Sequence, residues 1–309
     1  MRLFLLLGLV FNLFASFKTD AQSFYAVRRE RSLMLVAGTG TSTYFGELAN
    51  PGDYLDAKPN INAGLQYFFG NHISGRAEVT WFTLKGSDAI AGDPGRVPRN
   101  LSFSSNNYEI STTAAYNFLP NGNRHYRRPT LNIYAFAGIG VMYYNPTTIY
   151  QGQKVALRPL QTEGVKYGSF GIVIPYGLGV RLKVTPNINI AIEGGYRKTF
   201  TDYLDDVSSV YKDNNSFTDP LAKALADRRP ELNPAQQPWS AGHIRGNPKS
   251  KDGYMLLNAK LEYYLPWDFT NSGKGRSPSF YKKRKPASYR YSKKGGLKTK
   301  RKGIFNKNR

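Results

Sequence analysis

Asp202, Asp205 and Asp206 stand within one stretch, Thr201-Asp202-Tyr203-Leu204-Asp205-Asp206. Carboxylates are the ligands that a hard cation such as Ca²⁺ takes. The Gly-punctuated ligand ladder of a Ca²⁺ loop is missing, however. Turn capping and pairing with Arg197 or Lys198 is the favoured reading, and no metal is expected. The three histidines offer little more. His72 and His125 fall in expected turns, and His243 has no Ser or carboxylate at a recognisable spacing. A histidine without a placed nucleophile and base is more often a surface residue. Cysteine is absent, which excludes a thiol nucleophile, a Cys-ligated zinc site and a disulfide framework. Gly38, Gly40, Gly138, Gly140, Gly177 and Gly179 could suggest phosphate loops, but none has the strand–loop–helix context that motif requires. The expectation is a chain without catalysis and without a cofactor.

The elements that carry these residues have a period of two between residues 31 and 265. In the eighth and last such segment Met255, Leu257, Ala259, Leu261, Tyr263 and Leu265 share one face, opposite Tyr254, Asn258, Lys260, Glu262 and Tyr264. In the seventh, Ile188, Ile190, Ile192, Gly194 and Tyr196 oppose Asn189, Glu193, Arg197 and Thr199. The sixth, fifth, fourth and second alternate in the same way. The third sets Val79 and Trp81 against Arg76, Glu78 and Thr80, and the first, about 32–43, is Gly-rich and least regular. A soluble antiparallel sheet and a membrane barrel both produce such strands. The even count, segments long enough to cross a bilayer on a tilt, and connections that alternate in length favour the barrel.

The sequence therefore predicts an all-β fold: an eight-stranded antiparallel transmembrane β-barrel of outer-membrane type, with short periplasmic turns and long external loops. The turns are 70–72, 119–129 and 184–187; the loops are 44–58, 86–100, 145–167 and 201–252. Both chain ends are then periplasmic. The polar faces supply Arg76, Glu78, Glu109, Arg181, Lys183, Glu193, Arg197, Lys260 and Glu262. A barrel of eight strands is wide enough only to be filled by side chains, so these nine should pair across the lumen and leave no pore. Within the fourth loop, Asp219-Pro220 followed by LAKALADRR reads as an N-cap, a Pro at N1 and a short helix ending before Pro230. That loop either packs on itself as a cap or contacts a partner.

Charge divides the chain. Lys and Arg number 43 and Asp and Glu 21, a formal +22, which taken alone suggests nucleic acid. Residues 1–22 read as a signal peptide: Met1-Arg2, an apolar run to Phe17, and small residues Thr19 and Ala21 at a cleavage site. Export argues against a nucleic-acid partner. Residues 273–309 hold fifteen bases and no acid, leaving +7 for residues 1–272. The organisation is thus a signal peptide (1–22), a barrel (23–268) and a disordered basic periplasmic tail (269–309). On this topology the long loops carry −1 in all and the periplasmic side +19. Arg124, Arg127 and Arg128, with Lys282, Lys283, Arg284, Lys285, Lys293, Lys294, Lys300, Arg301 and Lys302, are the candidate contacts to an acidic periplasmic protein or to outer-membrane lipid. No small-molecule substrate is expected.

Several blocks carry a resemblance: TSTYFGELANP (41–51), RNLSFSSNNYEI (99–110), IYAFAGIGVMYYNP (133–146), PLQTEG (159–164), IPYGLGVRLKV (174–184), EGGYRKTFTDYLDDVS (193–208) and RGNPKSKDGY (245–254). In order and spacing, from about 31 to 265, the chain resembles the PorG-type outer-membrane barrel of the Bacteroidetes type IX secretion system. The resemblance implies a non-enzymatic outer-membrane component of protein secretion, partnered by the periplasmic ring subunits of that machine. In some members the machine also drives gliding motility. The alternatives are a stand-alone structural or small-solute barrel and a barrel enzyme.

Overall fold

The computed structural model describes residues 32–49, 57–121 and 128–265. The expected signal peptide, the basic tail, His125, Arg124 and Arg127 lie outside the described residues.

Among the described residues ten strands form in chain order: β1 (Leu33–Phe45), β2 (Lys58–Phe68), β3 (Ile73–Ser87), β4 (Ser102–Asn117), β5 (Leu131–Tyr143), β6 (Thr147–Tyr150), β7 (Gln153–Ala156), β8 (Phe170–Lys183), β9 (Ile188–Thr199) and β10 (Gly253–Tyr264). Eight of them make the barrel; β6 and β7 form a small hairpin outside it. Each barrel strand pairs antiparallel with its chain neighbour, and β1 closes the ring on β10 from Met34↔Tyr264 to Phe45↔Gly253. Closure satisfies the backbone of every barrel strand and leaves no edge, which is what a sheet inside hydrocarbon must do.

The two faces are inverted relative to a soluble protein. Asn60, Asn62, Gln66, Thr80, Asn107, Asn189 and Asn258 are buried inward, while Ile61, Ile110, Ile139, Leu178, Ile192 and Leu261 are exposed outward. Ile110 is 66 % exposed and Leu178 60 %. Each such side chain would forgo roughly 1.5–3 kcal/mol of burial in water; against lipid tails that cost disappears. Aromatic residues band the two ends of this belt. Tyr67, Phe69, Tyr116 and Phe118 pack near the short turns, and Tyr143 against Phe170 and Phe45 against Tyr196 pack near the long loops. An aliphatic belt between aromatic girdles is the lipid-facing pattern of a membrane barrel. Among the described residues no helix is long and apolar enough to cross a membrane; this chain crosses with strands.

β3 runs from Ile73 to Ser87, close to the stretch left between the expected turn at 70–72 and the expected loop from residue 86. Two other local features differ from the sequence expectation. The β6–β7 hairpin turns at Gln151 and Gly152, both at positive φ (48° and 79°), the backbone of a tight two-residue turn. In the fourth loop, α1 (Pro220–Ala226) begins as expected, with the Asp219 carboxylate accepting from Leu221 N at 2.9 Å. The chain then restarts as α2 (Arg229–Leu232). Pro230 sits in the first turn of α2, where its missing N–H costs nothing, instead of following a single helix.

Candidate functional site: a filled lumen and an acidic cluster at the loop end

The lumen is filled in layers. At the turn end Met34, Phe68 and Tyr264 form an apolar plug. Next, the Arg181 guanidinium grips both oxygens of Glu262 at 2.5 and 2.9 Å, donates to Asn117 Oδ1 at 2.8 Å, and lies 4.6 Å over the Tyr134 ring. Glu193 occupies the centre. It accepts from Arg76 at 2.7 Å, Lys260 at 2.9 Å and the Tyr134 hydroxyl at 3.0 Å. Lys260 also donates to Glu78 at 2.7 Å. Further up, Glu109 accepts from Tyr254 OH at 2.7 Å and lies 3.7 Å from Arg197. Above that, Tyr44, Phe82, Leu84, Phe103, Met142 and Leu256 close the loop end.

Alternation puts these residues inward, and strand order brings them together. Arg76 and Glu193 are 117 positions apart, on strands facing each other across a narrow barrel. Space for the large side chains comes from inward glycines. A Cβ at Gly179 would run into the Tyr134 ring, so this glycine is what lets the phenol reach Glu193. Of the nine expected lumen charges, eight form these pairs; Lys183 is half-buried at the turn-end rim of β8.

One other candidate lands differently. Arg128, expected on a partner surface, is 4 % exposed. It donates to Asn189 Oδ1 at 2.6 Å and to the Thr185 and Pro186 carbonyls, and stacks on Tyr264. It locks the turn after β8 and is spent on structure, because that turn leaves carbonyls that need donors. His72 Nδ1 bonds the Asn117 carbonyl at 2.8 Å, and His243 stacks on Trp239 at 3.6 Å.

At the loop end, the loops pack into one cap. Leu48, Leu101, Leu157, Leu204, Val207 and Leu225, from all four loops, share a buried cluster. Arg245 donates to Glu163 Oε1 at 2.9 Å and to the Asp206 carbonyl at 2.6 Å, and its own carbonyl takes Arg99. The three acids of residues 202–206 separate here. Asp206 accepts from Thr162 Oγ1 at 2.6 Å and from Tyr167 OH. Asp205 caps backbone, accepting from Val207 N at 2.9 Å. Asp202 instead meets Glu47 and Asp252, and one carboxylate oxygen of each lies within 4.8 Å of the others. Expectation from the chain alone missed Glu47 and Asp252. No local signal marks them; they converge because β9, β10 and β1 are neighbours in the ring and end side by side. Burial, with the Asp202 charge beside it, pushes the Glu47 carboxyl up to about 7. Burial and then Asp205 raise Asp252 well above the carboxylate range.

The fold and its faces define a class: a closed, side-chain-filled eight-stranded barrel of the outer-membrane type. Within that class the chain belongs to the family described as a domain of unknown function (DUF6089), whose model matches residues 6–219. No curated protein matches the sequence. Among solved structures it is similar to Neisserial surface protein A (NspA), at 10% identity and TM-score 0.39, covering 75% of this chain and 97% of that one. A major outer membrane protein from Thermus thermophilus is similar at 12% identity and TM-score 0.39, over 77% and 100% of the two chains. The attachment invasion locus protein Ail of Yersinia pestis, in complex with sucrose octasulfate, is similar at 12% identity and TM-score 0.36, over 76% and 100%. The barrel assignment stands on the strand pairing and the two faces above.

Proposed function

We propose that this chain is a non-enzymatic outer-membrane component of type IX protein secretion, which anchors or contacts the periplasmic ring of the machine. The observation that carries the reading is the ordered set of blocks resembling PorG-type barrels, with EGGYRKTFTDYLDDVS (193–208) the most specific. The filled lumen is consistent with it: a barrel with no free channel serves as an anchor and a binding surface. In this reading the turn end faces the periplasm, where residues 266–309 add a strongly basic segment. Such a segment attracts an acidic partner, and the attraction weakens as salt screens it.

Gene deletion tests the role. Secreted cargo should disappear from the medium and accumulate in the periplasm; normal secretion would leave a stand-alone barrel. A crosslinked pull-down from the full-length chain and from one lacking residues 270–309 tests the contact. Ring subunits should come down with the first and be depleted with the second.

A further inference from the structure

We propose that Glu47, Asp202 and Asp252 bind one Ca²⁺ ion where the first and fourth loops meet at the loop end of the barrel. Their carboxylate oxygens lie within 4.8 Å of one another. That fits the span of about 4.6–5.2 Å across a Ca²⁺ shell with oxygens at 2.3–2.6 Å. Glu47 precedes β2 and the two aspartates flank the fourth loop, so the cluster is assembled by the fold and not by a local run of acids.

An unsatisfied oxygen provides the independent observation. Asp202 is 2 % exposed; its Oδ2 accepts from Ser208 Oγ at 2.6 Å, while its Oδ1 has no hydrogen-bond partner among the described residues. The same holds for Glu47, whose Oε1 accepts from Asn247 N at 3.2 Å and whose buried Oε2 has none. A buried carboxylate oxygen without a donor is costly, and two in one cluster call for a cation. Protein bases do not supply it. Lys251 stands 3.9 Å from Asp202 Oδ2 and is half exposed, against three acids and the buried Asp205 beside them.

The donor set selects the ion. Three carboxylates with no imidazole or thiolate suit a hard cation and not zinc. An open pocket of about 330 Å³, lined by Gly46, Glu47, Asn247, Ser250 and Lys251, gives solvent access to the Glu47 side of the cluster. Irregular coordination of this kind suits Ca²⁺ better than Mg²⁺, which demands near-ideal octahedral geometry. The bound ion would clamp the first loop to both ends of the fourth.

Tb³⁺ is the probe, because the Tyr44 hydroxyl donates to Asp252 Oδ1 at 2.7 Å and can sensitise a lanthanide held there. Full-length protein is refolded in lipopolysaccharide-free detergent and stripped with EDTA. Tyrosine-excited Tb³⁺ emission should saturate at one ion per chain and be displaced by CaCl₂. Glu47→Gln and Asp202→Asn should each weaken binding at least about tenfold, while Asp213→Asn, an exposed acid elsewhere in the fourth loop, leaves it unchanged. CaCl₂ should also slow proteolysis of the fourth loop in the wild type, a readout that stands if the variants do not fold. Absence of saturable emission and of Ca²⁺ protection in the wild type would overturn the site. So would equal binding by folded Glu47→Gln/Asp202→Asn.

Discussion

Arg181 shows what a lumen side chain contributes. It is 2 % exposed and donates to both Glu262 oxygens, one of which also accepts from Asn189 Nδ2 at 2.8 Å. A buried ion pair adds little net stability compared with well-packed apolar residues, but removing one partner strands the other charge. Arg181→Met should therefore destabilise the detergent-refolded barrel by about 3–5 kcal/mol, and Arg181→Met/Glu262→Gln should recover most of it. Urea unfolding of the four members of the cycle measures this. Equal stability of single and double variants would show that Glu262 finds another partner. At the cap, Asp227 gives a pH signature. Burial acts to raise its carboxyl, but Arg229 at 2.5 Å and the Trp239 and Arg229 backbone N–H groups outweigh burial and hold it below the usual range. A depressed folded pKa gives stability that is full above the unfolded value of about 3.9 and is lost as pH falls through the folded one. Trp239, stacked on Arg229 at 4.0 Å, reports it. Its emission should change below about pH 4 in the wild type and stay flat there in Asp227→Asn.

The elements differ in how much of them the chain displays. Period-two alternation reveals β4, β9 and β10 because nearly every second residue differs in polarity. It also places eight of nine lumen charges, since inward direction follows from alternation alone. β6–β7 left no mark except Gln151-Gly152. The acidic cluster was hidden for a different reason: Glu47 and Asp252 are 205 positions apart, and only closure of β1 on β10 makes them neighbours. The loops act as one element through Arg245, which joins the third and fourth by holding Glu163 and the Asp206 carbonyl. Arg245→Met leaves a buried carboxylate short of its cation, a local loss of roughly 3 kcal/mol. Trypsin should then cut the fourth loop faster while the barrel keeps its heat-modifiable migration. Asp219→Ala removes only an exposed N-cap and should cost about 1 kcal/mol, with little change in cutting.

For the whole molecule, the question is whether anything passes through. Two apolar plugs bracket the charged centre: Met34, Phe68 and Tyr264 below, and the cluster around Tyr44, Phe82 and Phe103 above. Between them Glu193 is held by three donors at 3.0 Å or less. To open a water file, these contacts would have to break together and leave buried charges unpaired, at several kcal/mol each. Thermal fluctuation does not supply that at any useful frequency. Planar-bilayer recordings of the full-length chain should therefore show no stable conductance at neutral pH. Glu193→Ala with Tyr134→Ala tests the same point from the other side. It removes the central acceptor and the ring that fills the space over Gly179, so brief openings should appear in the variant alone. Large steady openings in the wild type would mean that the lumen is not filled in the membrane, and the reading of this barrel as an anchor would fall with it.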